Sequence, residues 1–235
     1  MNLKLTGCSL AAVSAFSFAV LLQAAPAAKG VQVDITSPAD GSHHAWNSQV
    51  SYAVTASYDG KSTKFGELPA NDVVVRAAYV ANVDAPSAHR ASALPDAIVQ
   101  ISQSNCTGCH DFNAGSAGPS FAAIGKRYSG NANSVAMLAA HIRNGSTGAW
   151  GGGTMPPHPD ILPARASAIA HWIVAHGNDP AVHYSIGKSG SLRMTAVGKP
   201  GPDSGVVLSA FYTGRLNAGD SRAAAGRTMV LVHGS

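Results

Sequence analysis

Cys106-Thr107-Gly108-Cys109-His110 lies near the middle of this 235-residue chain and decides the fold of the residues around it. The spacing Cys-x-x-Cys-His is the attachment signature of a c-type haem. Two thiols at this spacing form thioethers with the haem vinyl groups, and the imidazole that follows binds the iron from one face. The motif therefore predicts one covalently bound haem c, with His110 as an iron ligand.

Two other chemistries use the Cys-x-x-Cys spacing, namely a redox dithiol and half of a zinc site. A structural zinc site needs four ligands, and the remaining cysteine, Cys8, lies in a segment that we expect to be removed. A thioredoxin-like dithiol needs a βαβ setting, whereas the residues around Cys106 are typical of a helix that runs into a glycine-rich loop. Haem attachment is therefore favoured.

The N-terminus predicts export. Lys4 is followed by an uncharged apolar run over residues 10–22 and then by small residues. This is the pattern of a signal peptide over residues 1–27, cleaved after Ala27. The run is shorter than the roughly 20 residues that a membrane span needs, and Cys8 precedes the run where a lipidated cysteine would follow it. We expect a periplasmic or secreted protein with no membrane span.

A second iron ligand is expected downstream of the motif, and Met155 is the candidate. It lies in the segment Gly151-Gly152-Gly153-Thr154-Met155-Pro156-Pro157. Haem iron in electron carriers is often held by His and Met. Two prolines restrict the segment and reduce the entropy lost when it is ordered. The alternative role of a Met is core packing, but no helical or strand periodicity surrounds Met155, so iron ligation is favoured.

Histidine is the competitor for the second iron ligand. His141, His158, His171 and His176 all lie in the same region of the chain. His158 is three residues past Met155 and would need the proline-bound loop to turn over before it reached the iron. We therefore expect these four to be surface histidines.

Residues 92–177 resemble a small bacterial class I c-type cytochrome of the c551/c552 type. The matching segments, in order, are Cys106-Thr107-Gly108-Cys109-His110, Ala117-Gly118-Pro119-Ser120-Phe121, Ile142-Arg143-Asn144-Gly145-Ser146-Thr147-Gly148-Ala149-Trp150-Gly151, Met155-Pro156-Pro157 and Trp172-Ile173. The resemblance implies an all-α domain that wraps a haem and transfers one electron at a time.

The resemblance also implies roles for other residues around the haem. The carbonyl of Pro119 is expected to accept a hydrogen bond from the free ring nitrogen of His110, which fixes the imidazole tautomer. Arg143 and Trp150 fall where the family's contacts to the haem propionates lie. Asn144 falls beside the loop of the second ligand, where polar side chains steady the thioether. The alternative for Arg143 is a solvated side chain, and the alternative for Trp150 is a packed ring without a propionate contact.

Apolar residues at helical spacing predict three helices in this region, over residues 96–105, 134–143 and 164–176. A glycine follows each of them, as is common at helix ends. The region is therefore expected to form a haem-wrapping domain of three to four helices.

Both flanks of this region alternate apolar and polar residues, which is the pattern of β-strands. The pattern covers residues 31–35, 50–54 and 73–77 before the helices, and residues 190–194, 205–212 and 228–232 after them. About three strands in each flank are too few for an independent sandwich. We therefore expect the two flanks to pair into one β-sandwich, and two separate small β units are the alternative.

The predicted fold class is α+β and multidomain, with an all-α class I cytochrome c domain inserted between β segments. The predicted boundaries are a signal peptide over 1–27, a first β segment over 28–90, the cytochrome c domain over 91–179 and a second β segment over 180–235. The first β segment resembles Ig-like or PKD-like modules through Ile35-Thr36-Ser37-Pro38-Ala39-Asp40-Gly41.

Charge bears on the class of partner. Charged residues make up only 12% of the chain and the formal net charge is +4, so composition gives no support for nucleic-acid binding. The basic excess is concentrated in residues 180–235, which contain Lys188, Arg193, Lys199, Arg215, Arg222 and Arg227. Such a surface would steer the protein towards an acidic redox partner or an anionic envelope polymer. A solvated surface without a partner is the alternative.

Two classes of function remain. In the first, the protein is a one-electron carrier and not an enzyme, and its β-module docks on a periplasmic or extracellular redox protein such as a dehydrogenase or an oxidase. In the second, the β-module binds a carbohydrate or another partner, and the haem is a sensor or tether. A haem peroxidase would need an open iron position and usually a second haem, whereas the chain has one Cys-x-x-Cys-His motif.

Overall fold

The computed structural model describes residues 30–90, 93–214 and 226–235. The predicted signal peptide over 1–27, together with Arg215 and Arg222, lies outside the described residues. The α-helices are α1 Asp96–Gln103, α2 Phe121–Tyr128, α3 Ser134–Asn144 and α4 Pro163–His176. The strands are β1 Gln32–Ser37, β2 Ser42–His44, β3 Gln49–Tyr58, β4 Lys61–Ser62, β5 Val73–Val80, β6 Ser146–Thr147, β7 Thr154–Met155, β8 Val182–Ile186, β9 Ser189–Arg193, β10 Gly205–Tyr212 and β11 Gly226–Gly234.

The three helices predicted from the sequence are present, with ends that differ by at most two residues. The additional helix, α2, begins after Ser120, whose side chain accepts a hydrogen bond from the N–H of Ala123 at 3.1 Å. This is the usual way in which a serine caps a helix N-terminus. Phe121 and Ile124 are the apolar residues on the buried side of this helix, and both are less than 9% exposed.

The strands form two larger sheets, and each sheet contains strands from both sides of the helical region. In the first sheet, β3 pairs antiparallel with β1, β4 and β9. The second sheet has the order β2-β11-β10-β5-β8, in which β2 and β11 are parallel and the other neighbours are antiparallel. Strands β2, β4 and β8 were not predicted, because β2 and β4 are only two or three residues long and β8 follows α4 closely.

One hydrophobic core lies between the two sheets. Strands β5 and β10 line it with every second residue, including Val73, Val75, Leu208 and Tyr212, while the first sheet contributes Val33, Val50, Tyr52 and Val54. Successive side chains of a strand point to opposite faces. The residues between these on β5 and β10 therefore point away from this core.

A second core joins the other face of that sheet to the helices. Val74 of β5, Phe211 of β10 and Tyr184 of β8 pack with helical residues, including Ile98, Ile101, Ile169 and Trp172. Polar contacts supplement this packing, since the Ser102 and Thr213 hydroxyls lie 3.1 Å apart and Asn113 pairs with His183. The sheet thus fixes the position of the helices that surround the site. Within the described ranges, no helix has both the length and the apolar character needed to cross a membrane.

Candidate functional site

The helices and the loops between them enclose a cavity of about 460 Å³. Its apolar lining comes from three helices and includes Phe121, Ile124, Leu138, Ile142, Ile169 and Ile173. Ligand cavities of this kind are mostly apolar, with a few polar groups that fix the ligand's orientation. The cavity has the volume and lining suited to a flat, largely apolar cofactor.

The Cys-x-x-Cys-His motif forms one wall of this cavity. A short 3₁₀ turn over Cys106–Gly108 is closed by a hydrogen bond from the N–H of Cys109 to the carbonyl of Cys106 at 3.2 Å. The N–H of His110 donates to the same carbonyl at 3.0 Å. The turn brings both cysteines and the imidazole to the cavity lining. Both thiols are free of a disulfide, as covalent attachment to a haem requires.

The two cysteines differ in environment. Cys109 is exposed, whereas Cys106 is partly buried and packs against the helical core. Burial raises the pKa of the Cys106 thiol to about 11. Since the thiolate is the reactive form of a cysteine, burial lowers the reactivity of a Cys106 that has not been attached.

The imidazole of His110 is held in place by a backbone carbonyl. Its Nδ1 lies 2.6 Å from the carbonyl oxygen of Pro119, and because a carbonyl can only accept, Nδ1 carries the proton. The lone pair of Nε2 is therefore left for an iron ligand bond. The ring also stacks on Phe121, with centroids 5.5 Å apart and planes inclined by 26°.

Gly118 makes the close approach of this loop to His110 possible. A Cβ added at Gly118 would lie 2.7 Å from Cε1 and 2.9 Å from Nδ1 of His110. The N–H of Gly118 donates to the carbonyl of Cys109 at 2.7 Å, which closes the loop back onto the motif. The glycine thus allows the loop to cross directly behind the imidazole.

Met155 lines the same cavity and is partly buried. It was predicted to lie in a loop without strand structure, but it belongs to a two-residue strand in which Met155 pairs with Ser146 and Thr154 with Thr147. The N–H of His158 donates to the carbonyl of Ile142 at 3.0 Å and fixes the other side of the segment. Met155 is therefore placed by α3 as well as by the two prolines.

The four competing histidines separate into two pairs. His171 and His176 are exposed on α4, as expected. His141 and His158 are partly buried and line the cavity, so the prediction that they lie on the surface was wrong. Helical spacing explains His141, because residues at i, i+3 and i+4 share one face of a helix and Leu138, His141 and Ile142 of α3 all face the cavity.

Neither Arg143 nor Asn144 is among the described residues that line the cavity. The Nε of Arg143 donates to the carbonyl of Ile161 at 3.1 Å, which ties α3 to the segment before α4. Asn144 is an exposed residue at the end of α3. Their predicted contacts with the propionates and the thioether remain predictions.

Trp150 lines the cavity with 40% of its surface exposed. The guanidinium of Arg127 lies 4.6 Å from the centre of its ring, and Nη1 of Arg127 donates to the carbonyl of Ala149 at 2.8 Å. Arg127 was not predicted to take part in the site. It holds the Trp150 ring at the cavity edge through a cation–π contact and a backbone hydrogen bond.

An aromatic group joins the site to the sheet behind it. Phe112, two residues after His110, packs on Phe121 at 5.2 Å and on Tyr184 of β8 at 5.5 Å between ring centroids. Trp172 of α4 packs edge-on against Tyr184 at 5.7 Å. The strand residue Tyr184 is therefore part of the support of the motif, although nothing in the motif's own sequence indicated it.

Comparison with known proteins connects this geometry to a family. Residues 96–176 match the family model described as cytochrome c. The chain is 38% identical to cytochrome c-552 of Hydrogenobacter thermophilus over 73 residues, which cover 31% of this chain and 74% of that protein. It is 39% identical to cytochrome c-551 of Azotobacter vinelandii over 71 residues, which cover 30% of this chain and 85% of that protein.

A crystal structure of Nitrosomonas europaea cytochrome c552 overlaps 34% of this chain and 96% of its own chain, with 34% identity and a TM-score of 0.32. The family match begins at the first residue of α1 and ends at the last residue of α4. Both β flanks lie outside it.

Proposed function

This chain belongs to the cytochrome c family, and we propose that it is an exported monohaem electron carrier whose β-strands form a docking module for its redox partner. Membership of the family makes it a haem protein that carries electrons and holds one covalent haem c. The proposal adds the roles of individual residues, the arrangement of domains, the export and the role of the strands.

The observation that carries the proposal is that Cys106, Cys109, His110 and Met155 line one cavity of suitable volume. We assign the two cysteines to the thioether bonds, and His110 and Met155 to the iron. Bound haem supplies an iron that gains and loses one electron, and a thioether ligand favours the reduced state. The hydrogen bond from His110 Nδ1 to Pro119 orients the imidazole for this role and raises its basicity.

With two side chains assigned to the iron, no position is left for substrate, and we infer that the protein is not an enzyme. The test is carbon monoxide binding to the reduced protein. We expect no spectral change in the natural protein and a carbon monoxide adduct in Met155→Ala, which also loses the absorption band of a Met-bound ferric haem. His141→Ala and His158→Ala are matched controls, because both side chains line the cavity.

The controls decide between the possible second ligands. A Met155→Ala variant with an unchanged spectrum, together with a changed spectrum in His158→Ala or His141→Ala, would assign the second ligand to a histidine. Carbon monoxide binding to the natural protein would contradict the closed site and reopen the question of catalysis.

We further propose that residues 28–90 and 180–235 are two halves of one β-sandwich and that residues 91–179 are a domain inserted between them. The support is the strand order, since β10 lies between β11 and β5, and β3 pairs with β9. Deletion of residues 180–235 removes both neighbours of β5. We expect residues 31–80 to become protease-sensitive in that truncated protein, while the haem spectrum persists.

The docking role has its support in charge. Lys188, Arg193, Lys199 and Arg227 belong to the described part of the basic segment. A partner with an acidic surface would be steered by these charges, so the rate of electron transfer to it should fall as salt rises. The alternative of carbohydrate binding has no support at the central strands β5 and β10, because these strands have residues in cores on both faces.

A further inference from the structure

Phe65 is the most exposed large apolar side chain of the described residues, with 73% of its surface open to solvent. It lies on the loop after β4, between Lys64 and Gly66. The Nζ of Lys64 lies 5.4 Å from the centre of the Phe65 ring. Gly66 has φ +85°, and a Cβ at this position would meet no atom within 4 Å. The loop therefore projects an aromatic ring into solvent.

Both ends of this loop are anchored in the sheets. Thr63 is fully buried, and it exchanges hydrogen bonds with the backbone of Ala56 at 2.9 and 3.0 Å. Leu68 is 4% exposed and packs in the core between the sheets. The carboxylate of Glu67 accepts a hydrogen bond from the N–H of Ser62 at 3.1 Å, so this carboxylate is bound within the turn. The exposed ring thus belongs to an ordered turn.

Three lysines belong to this loop or contact it. Lys61 and Lys64 are exposed on either side of Thr63. Lys188 approaches from the turn between β8 and β9, and its Nζ donates to the carbonyl of Thr63 at 2.9 Å. Asp59, on the turn between β3 and β4, is the other acidic residue of this hairpin besides Glu67. With three lysines against two acids, the loop and its Lys188 contact have a small positive net charge beside one exposed aromatic ring.

We propose that this tip, formed by Lys61, Lys64, Phe65 and Lys188, docks the protein on an anionic lipid membrane surface. Peripheral proteins bind such surfaces by placing apolar rings at the boundary of headgroups and acyl chains while lysines contact the phosphates. A protruding ring can enter a fluid interface without a matching pocket, whereas a protein partner would have to supply a shaped cleft. The convex form of the tip therefore favours a lipid surface.

The tip lies at the end of the sheets that contacts the haem domain. The chain runs from the tip into β5 through Asp72, whose carbonyl accepts a hydrogen bond from the hydroxyl of Thr213 at 2.9 Å. That hydroxyl is also 3.1 Å from the hydroxyl of Ser102 on α1, four residues before Cys106. The haem domain therefore contacts the sheets at Asp72, seven residues along the chain from Phe65.

The test uses the haem-loaded protein and sedimentation with lipid vesicles, with haem absorbance reporting the bound fraction. We expect binding to phosphatidylcholine vesicles that contain one part in three phosphatidylglycerol, little binding to pure phosphatidylcholine, and release by salt. Phe65→Ser should weaken binding about tenfold. Lys64→Gln should weaken it about fivefold, the effect of one lysine near an anionic surface. Leu162→Ser and Lys126→Gln are matched controls at exposed positions on the haem domain.

Failure to bind anionic vesicles overturns the proposal, and so does equal binding by Phe65→Ser and the natural protein. If Phe65→Ser leaves vesicle binding unchanged but slows electron transfer to a soluble acceptor protein, the tip contacts protein and not lipid. The proposed electron carriage is tested separately, because vesicle binding needs neither a redox change nor the iron ligands. Unchanged protease resistance of residues 31–80 in each variant shows that the strands around the tip are folded, and an unchanged haem spectrum shows that the haem domain is folded.

Discussion

The Nδ1 atom of His110 donates a hydrogen bond to the carbonyl oxygen of Pro119 at 2.6 Å, and the intervening loop fits only because residue 118 has no side chain. In Gly118→Ala the new Cβ would lie 2.7 Å from Cε1 of His110. We expect the imidazole to shift and its hydrogen bond to weaken. A proximal histidine that loses this bond is a weaker donor to iron, so the reduction potential should rise.

The matched control is Gly115→Ala in the same loop, where a Cβ would meet no atom within 4 Å. We expect its potential and spectrum to equal those of the natural protein. Redox titration of both variants tests the relationship. An identical potential in Gly118→Ala and Gly115→Ala would mean that the bond to Pro119 does not tune the haem.

Gly145 controls the position of Met155 in the same way. It has φ +79°, and a Cβ there would lie 2.8 Å from the carbonyl oxygen of Met155. Gly148 has φ +78° with no atom within 4 Å of its own Cβ position. Alanine at either position has the backbone cost of a left-handed conformation, about 1–2 kcal/mol. Only Gly145→Ala adds a collision with the Met155 strand.

We therefore expect Gly145→Ala to lose the spectrum of a Met-bound haem at a lower denaturant concentration than Gly148→Ala. The collision should add roughly 1–3 kcal/mol, as for other overpacked sites. Denaturant titration followed at the Met-dependent absorption band measures this difference. Equal midpoints for the two variants would show that the short β6–β7 ladder does not hold Met155 in place.

The haem motif and the order of elements were predictable from the sequence because they depend on local patterns. The helices α1, α3 and α4 each have several apolar residues at helical spacing. Helix α2 is only eight residues long and follows the haem motif closely, and it was not predicted although its apolar residues share one face. His141 was expected to lie on the surface, but helical spacing from Leu138 places it on the cavity face of α3.

Long-range contacts were harder to predict. Nothing local in the sequence of β10 indicates that its two faces serve different cores. Residues 205–212 were predicted as an alternating strand, but all eight are buried in succession, which is the pattern of a strand covered on both faces. The support of Phe112 by Tyr184 joins residues about 70 positions apart in the chain, and only the fold brings them together.

The two faces of β10 give a prediction about stability. Leu208 is fully buried in the core between the sheets, whereas Phe211 packs against the helices. Leu208→Ala should lower the free energy of unfolding of the strands by about 2–5 kcal/mol. Phe211→Ala should cost about 3–5 kcal/mol and should also destabilise the haem domain. Amide hydrogen exchange of the strand residues reports the sheets, and haem absorbance reports the haem domain.

Comparing the unfolding transition of the strands with that of the haem domain decides whether the helices depend on the sheet. If the haem transition is unaffected by Phe211→Ala, the helices do not depend on the sheet, in spite of their shared core. Val197→Ala, at a position that is 38% exposed, is a control that should shift neither transition by more than about 0.5 kcal/mol.

His183 gives a prediction about pH. It lies at the contact between β8 and the segment after the haem motif, where its Nδ1 is 3.1 Å from the Oδ1 of Asn113. Its Nε2 is buried and has no hydrogen-bond partner among the described residues. Burial lowers the pKa of His183, although the negative charge of Asp179 opposes the shift. The folded protein therefore disfavours the protonated imidazole.

The sign of the effect follows from linkage between protonation and folding. Because the folded pKa lies below the unfolded value of about 6.5, the unfolded chain binds the proton first as pH falls. The contribution of His183 to stability is present above about pH 6.5 and is lost as the pH falls through the folded pKa. We expect the denaturant midpoint to decrease on acidification in this window, and to decrease less in His183→Gln. His171→Gln on the exposed side of α4 is the control and should follow the natural protein. An equal acid dependence in His183→Gln and the natural protein would show that protonation of His183 does not weaken the contact between the sheet and the haem domain.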